Sequence, residues 1–148
     1  MTDLSVSNLG NSTQKSPLSI ESAEFITDDR VFLVTPTVTR GSAQGYELAG
    51  PRKQLFFTPK RVKAGIVTCG GLCPGLNAVI RALVMQLHHR YGVQNIVGIQ
   101  YGYHGLAASA TDTFVDLTPD LVENIHETGG TYLKTSRGTP PAEEIVDT

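Results

Sequence analysis

Cysteine is scarce in this sequence, net charge is nearly absent and no long apolar run occurs. Each lack removes a class of protein. The two cysteines, Cys69 and Cys73, are too few for a disulfide framework and too few to complete a zinc site by themselves. Their spacing crosses a strand-to-loop junction, and small buried thiols packed under the loop are expected there rather than a redox or metal role. A formal net charge of −2, without a basic stripe, gives no electrostatic case for nucleic acid or an anionic membrane as partner. No apolar stretch approaches the roughly 20 residues of a membrane span. The N-terminus has no cationic-then-apolar leader, so a cytoplasmic protein is expected. What remains is ordinary: 40% apolar and 18% charged residues over 148 positions, enough for at most one domain with a core.

Against that background one run stands out, Ala64-Gly65-Ile66-Val67-Thr68-Cys69-Gly70-Gly71-Leu72-Cys73-Pro74-Gly75-Leu76-Asn77. A β-branched apolar segment enters a turn of Gly70, Gly71, Pro74 and Gly75, and a helical pattern from Asn77 to Tyr91 follows at once. A strand–loop–helix unit of this kind aims unpaired backbone N–H groups at the loop mouth. Glycines there let a polyanion approach the backbone with no Cβ in the way. Two common phosphate loops do not fit. Gly70 and Gly75 have Walker spacing, but Leu76-Asn77 stand where Lys-Ser/Thr would serve phosphate and magnesium. The dinucleotide pattern Gly-x-Gly-x-x-Gly fails because Gly70 and Gly71 are adjacent and Leu72 is not glycine.

Along the chain, residues 1–22 are rich in Ser, Asn and Thr without periodicity and read as a disordered tail. Residues 23–61 read as an arm or linker, with Val31 to Val34 as a short strand, a linker-like Gly41 to Gly45, and Leu55-Phe56-Phe57 as an apolar anchor. The domain is expected from Val62, with a first strand to Thr68 and a helix burying Val79, Ile80, Leu83, Val84 and Leu87 before a stop at Gly92. A second strand is expected over Asn95–Ile99, a short one over Thr113–Leu117, and then a helix capped by Thr118 with Pro119 at its first position. Leu121, Val122 and Ile125 form its apolar face, and another helix opens after Pro140-Pro141. Alternating strands and helices predict an α/β fold, a Rossmann-like parallel sheet with helices on both faces, incomplete on its C-terminal side.

Three segments carry a resemblance. Gly70-Gly71-x-x-Pro74-Gly75-x-Asn77, Gly98-Ile99-Gln100-Tyr101-Gly102-Tyr103-His104-Gly105-Leu106 and Gly129-Gly130-Thr131-Tyr132-Leu133-Lys134-Thr135-Ser136-Arg137-Gly138 resemble, in order, three signatures of the 6-phosphofructokinases. Leu72-Cys73, with Ala49-Gly50-Pro51-Arg52 ahead of the first strand, is similar to the plant-type ATP-dependent branch. The resemblance covers about Tyr46 to Thr148, with residues 62–148 as part of the family's nucleotide-binding domain. It implies phosphoryl transfer from ATP to fructose 6-phosphate with Mg2+. The metal ligands, the catalytic aspartate segment and the sugar-phosphate half all fall outside this chain, and a homo-oligomer is implied at full length. Pyrophosphate stays open as donor, and so does a non-catalytic nucleotide-binding or subunit-interaction module from a truncated paralogue.

The same resemblance supplies site residues. Gly71 would meet the nucleotide phosphates through its N–H, with Gly70 and Gly75 shaping the loop and Asn77 fixing it by bonding its own backbone. Arg137 would reach the phosphates with a planar, two-pronged guanidinium, and Gly138 would let the chain pass close to the nucleotide. Tyr103 has two open readings, a ring beside the base or ribose, or a half-buried core aromatic. Arg81 matches the first of two effector arginines of bacterial members, whereas Met85 replaces the second. His88, His89 and His126 read as solvated helix residues, and Asp112, Asp116 and Asp120 as turn and capping residues, so no catalytic residue is assigned within this chain.

Overall fold

The computed structural model describes residues 10–19, 25–26, 30–32, 45–47, 50–107 and 109–146. The chain divides into two compact units after Thr58. In the first, β1 (Gln14–Lys15) and β2 (Arg30–Phe32) are followed by β3 (Gly45–Glu47) and β4 (Gln54–Leu55). β1 pairs antiparallel with β4, and β2 with β3. Part of the segment expected to be a disordered tail is thus a strand, and Ser16 beside it is buried, its N–H donating to the Lys53 carbonyl. Its partner lies about forty positions away, beyond any local pattern. Phe56 and Phe57 are not an anchor: they follow the end of β4 and are 41% and 58% exposed. Most of Gly41 to Gly45, and Leu33 and Val34, lie outside the described residues.

The second unit holds the α/β layer. β5 (Lys63–Val67) leads through the glycine loop to α1 (Leu76–Met85), which continues as a π-helical turn over Gln86–Tyr91 and stops at Gly92, φ 74°. Then come β6 (Asn95–Ile99), a 3-10 turn over Gly102–Leu106, β7 (Phe114–Asp116), α2 (Pro119–Val122), a second 3-10 turn over Ile125–Glu127, and α3 (Ala142–Val146). The sheet order is β5-β6-β7. β5 and β6 are parallel in the expected manner, Ile66 opposite Gly98, because α1 is a crossover that returns the chain to the same end. β7 departs from the parallel expectation and runs antiparallel to β6. The excursion between them has only a 3-10 turn, and its ends are tied together where the Gln100 N–H donates to the Thr113 carbonyl at 2.8 Å. The chain therefore turns back instead of crossing over, and the sheet is mixed.

One sheet face packs Ile66 and Ile96 against Ile80 and Val84 of α1, with Leu117, Val122, Ile125 and Leu133 completing the core. Gly98 is glycine for want of room: a Cβ there would strike Leu133, with Leu117 and Val115 each at 3.1 Å. The opposite face carries Val97 and Ile99, both buried, and the 3-10 turn at Gly105 lies against Ile99. Val79 and Leu83, expected inside, are 56% and 44% exposed, while Leu87 is partly buried. Ile80 and Val84 are buried as expected, and Asn77 joins them to complete the buried stripe of α1. α2 begins as expected, the Thr118 hydroxyl accepting from the Leu121 N–H at 3.2 Å, although Leu121 itself points outward at 38% exposure. No helix among the described residues is long and apolar enough to cross a membrane.

Candidate functional site

Where β5 ends, the chain must turn sharply into α1, and two residues do it in the left-handed region: Gly70 at φ 94° and Gly75 at φ 88°. No heavy atom lies within 4 Å of where a Cβ would stand on either. Glycine is needed there for the backbone rather than for space. At Gly71 the balance differs, since its φ is not positive and the nearest atom to a Cβ position is the Arg137 Nη2, at 4.0 Å. The Gly70 N–H is already used, donating to the Ser136 carbonyl at 3.1 Å. Among the described residues the Gly71 N–H has no partner, and the residue is exposed. Cys69 and Cys73, expected to be buried under the loop, are both exposed.

The segment from Thr128 to Gly138 is stitched to this loop. Asn77, buried at 4%, donates from Nδ2 to the Thr128 carbonyl at 2.9 Å and accepts the Tyr132 N–H on Oδ1 at 2.6 Å. It fixes the two segments to each other and not, as expected, the loop to its own backbone. The Thr68 hydroxyl donates to the Lys134 carbonyl at 2.6 Å and lies 3.2 Å from the Thr131 hydroxyl. Arg137 stands in residues 131–138, turns and irregular chain held by these side chains.

The turn after β6 closes the third side. The Tyr101 N–H donates to the Leu133 carbonyl, and the Ser136 hydroxyl donates back to the Tyr101 carbonyl at 2.5 Å. A Cβ on Gly102, φ 63°, would stand 2.8 Å from Ser136 Oγ and 3.2 Å from Cys69 Sγ, so three segments converge on that glycine. Gly138, φ 89°, faces His104 Nε2, which also lies 3.4 Å from the Arg137 carbonyl. Tyr103 stands on the same turn, 40% exposed and outside the core, so the core reading of this ring falls. Arg81 is taken up structurally, its Nε donating to the Glu123 carbonyl at the end of α2.

The fold thus brings Gly70, Gly71, Arg137 and Gly138 to one end of β5 and β6, with Tyr103 on the adjoining turn. Sequence reasoning missed Gly102, Ser136, Tyr101 and Lys134, whose partners lie about 33–35 positions apart along the chain. The arrangement offers free N–H groups, the start of α1 with no acidic residue in its first turn, and a guanidinium without a carboxylate partner among the described residues. Such a cradle suits a polyanion. No group of three or more His, Cys, Asp or Glu side chains among the described residues could hold a metal ion.

A family profile described as Phosphofructokinase matches residues 63–148, the strand–loop–helix unit and everything stitched to it. The chain belongs to the phosphofructokinase family. It is 40% identical over 156 residues to an ATP-dependent 6-phosphofructokinase of Borreliella burgdorferi, which covers 99% of this chain and 35% of that protein. To the ATP-dependent 6-phosphofructokinase of Amycolatopsis methanolica it is 48% identical, over 84% of this chain and 27% of the relative. To the ATP-dependent 6-phosphofructokinase 4, chloroplastic, of Arabidopsis thaliana it is 47% identical, over 83% of this chain and 23% of the relative. This phosphofructokinase chain therefore spans about a quarter to a third of the length of these curated relatives.

Proposed function

We propose that this chain supplies the nucleotide-phosphate site of an ATP-dependent 6-phosphofructokinase, which transfers a phosphoryl group from ATP to the C1 hydroxyl of fructose 6-phosphate. The observation that carries the proposal is an exposed Gly71 whose N–H has no partner among the described residues, with the Arg137 Nη2 4.0 Å from where its Cβ would stand and no carboxylate among those residues on that guanidinium. Phosphoryl transfer asks a protein for positioning and charge stabilisation more than for covalent chemistry. The Gly71 N–H donates to a nucleotide phosphate oxygen, and the first N–H groups of α1 add their dipoles. Arg137 grips phosphate oxygens with two parallel N–H bonds, which fixes the angle as well as the charge. Gly70 and Gly138 keep the chain close to the nucleotide, and Tyr103 stacks beside its base or ribose.

The base that takes the hydroxyl proton, and the ligands of Mg2+, belong in this reading to the rest of the protein. When bound, the metal neutralises phosphate charge. The protein in this reading is cytoplasmic and homo-oligomeric. Pyrophosphate is the rival donor, and the relatives' names favour ATP.

The test is steady-state kinetics of the full-length protein carrying this segment, with ATP, pyrophosphate and fructose 6-phosphate varied separately. Gly71→Val should cost heavily in ATP use while leaving the fructose 6-phosphate KM nearly unchanged. Arg137→Lys should lose less, about 1.5–3 kcal/mol in kcat/KM for ATP, since charge survives and the two-pronged geometry does not. Wild-type ATP dependence in both variants, or a defect confined to the sugar phosphate, would remove the loop from the site.

A further inference from the structure

Among the described residues, Tyr101, Asp112 and Lys134 are the non-glycine residues with positive φ. Aspartate tolerates that region through local hydrogen bonds, whereas tyrosine and lysine have no such help. These two touch each other at the carboxyl end of the parallel strands. Lys134 Nζ lies 2.6 Å from the Tyr101 hydroxyl, 3.4 Å from Gln100 Oε1 and 4.3 Å from the centre of the Tyr101 ring. Neither Lys134 nor Arg137 has a carboxylate partner among the described residues.

The backbone at Lys134 is held in place from both sides. Its carbonyl accepts the Thr68 hydroxyl at 2.6 Å, and the Leu133 carbonyl before it accepts the Tyr101 N–H at 3.0 Å. Those bonds anchor the chain on both sides of a left-handed residue, φ 58°, where glycine would sit with less strain. A lysine in its place puts a second cation on the segment that carries Arg137. Its present partners are neutral dipoles and an exposed ring, which hold an ammonium weakly compared with a phosphate oxygen.

We infer that Lys134 binds the polyphosphate of the nucleotide, resting against Tyr101 until phosphate draws the ammonium toward the loop. The inference rests on the nucleotide-site reading above and adds to it the residue that distinguishes a polyphosphate from a single phosphate. The far phosphates need the second cation, and a monophosphate does not.

The experiment is calorimetric titration of the full-length protein with ATP and with AMP. Lys134→Gly removes the ammonium while relaxing the backbone, so misfolding does not imitate the expected result. ATP affinity should fall about tenfold or more, as for a lost charge-assisted contact. AMP affinity should stay near wild type, and Lys134→Arg should retain most of the ATP affinity. Lys134→Gly binding ATP as well as wild type would overturn the inference, as would equal losses for ATP and AMP or an Arg variant as weak as the Gly one. A wild-type protein that binds no ATP would instead overturn the nucleotide-site reading itself, and this inference with it.

Discussion

Three glycines within one loop do different work, and substitution can separate them. Gly70 and Gly75 are fixed by backbone angle, at φ 94° and 88°, with open space around them. Alanine at either should destabilise the protein by about 1–2 kcal/mol, the cost of the left-handed region for a residue with a Cβ. Gly71 has neither a positive φ nor a close neighbour, so Gly71→Ala should leave stability unchanged and act only when a nucleotide occupies the loop. Urea midpoints of the three variants, measured without nucleotide, check this. A Gly71→Ala midpoint as low as the other two would mean that the loop is held by Gly71 in a way its geometry does not reveal.

At the scale of elements, the join between α1 and the Thr128–Gly138 segment rests on one buried amide. Asn77→Ala would leave the Thr128 carbonyl and the Tyr132 N–H without their partner, at about 1–3 kcal/mol in all, since Thr128 is exposed and its carbonyl can turn to water. Such a variant should lose stability and nucleotide affinity together, since Arg137 rides on the segment that Asn77 holds. Thermal melts with and without ATP check it; full ATP stabilisation in a destabilised variant would separate the two effects. In the sheet, Gly98→Ala drives a methyl into Leu133 and should cost about 1–3 kcal/mol by overpacking. The same denaturation series reads it, and a neutral result would mean that Leu133 can move aside.

Local chemistry explains which elements were legible. The Asn95–Ile99 strand and the Thr118 cap with Pro119 behind it were readable because each depends on adjacent residues. On α1, Ile80 and Val84 were legible, but the limits of the buried stripe were not, because it begins with a polar residue, Asn77, whose partners lie 51 and 55 positions away. The antiparallel β7 was hidden for a similar reason: the bond that turns the chain back joins Gln100 to Thr113 across an irregular excursion. Within the site, the glycine loop announced itself in sequence. Lys134 did not, since its meaning lies in a backbone angle and in a neighbour on another element.

For the whole molecule, the sheet order β5-β6-β7 leaves β5 and β7 each paired on one side only among the described residues, and Phe114 on β7 is 54% exposed. Unpaired strand edges and exposed aromatics favour association between copies. The match to the curated relatives reaches only 23–35% of their length. The 148-residue chain expressed by itself should therefore fold marginally, below the usual range of about 5–15 kcal/mol. In the proposed reading the base lies in the rest of the protein, so the isolated chain should also form no fructose 1,6-bisphosphate from ATP and fructose 6-phosphate. A coupled assay run beside a thermal melt decides both points. Magnesium-dependent product from the isolated chain would mean that the reaction's base lies within these residues. A sharp cooperative melt with no aggregation would mean that the isolated chain is stable despite its open edges.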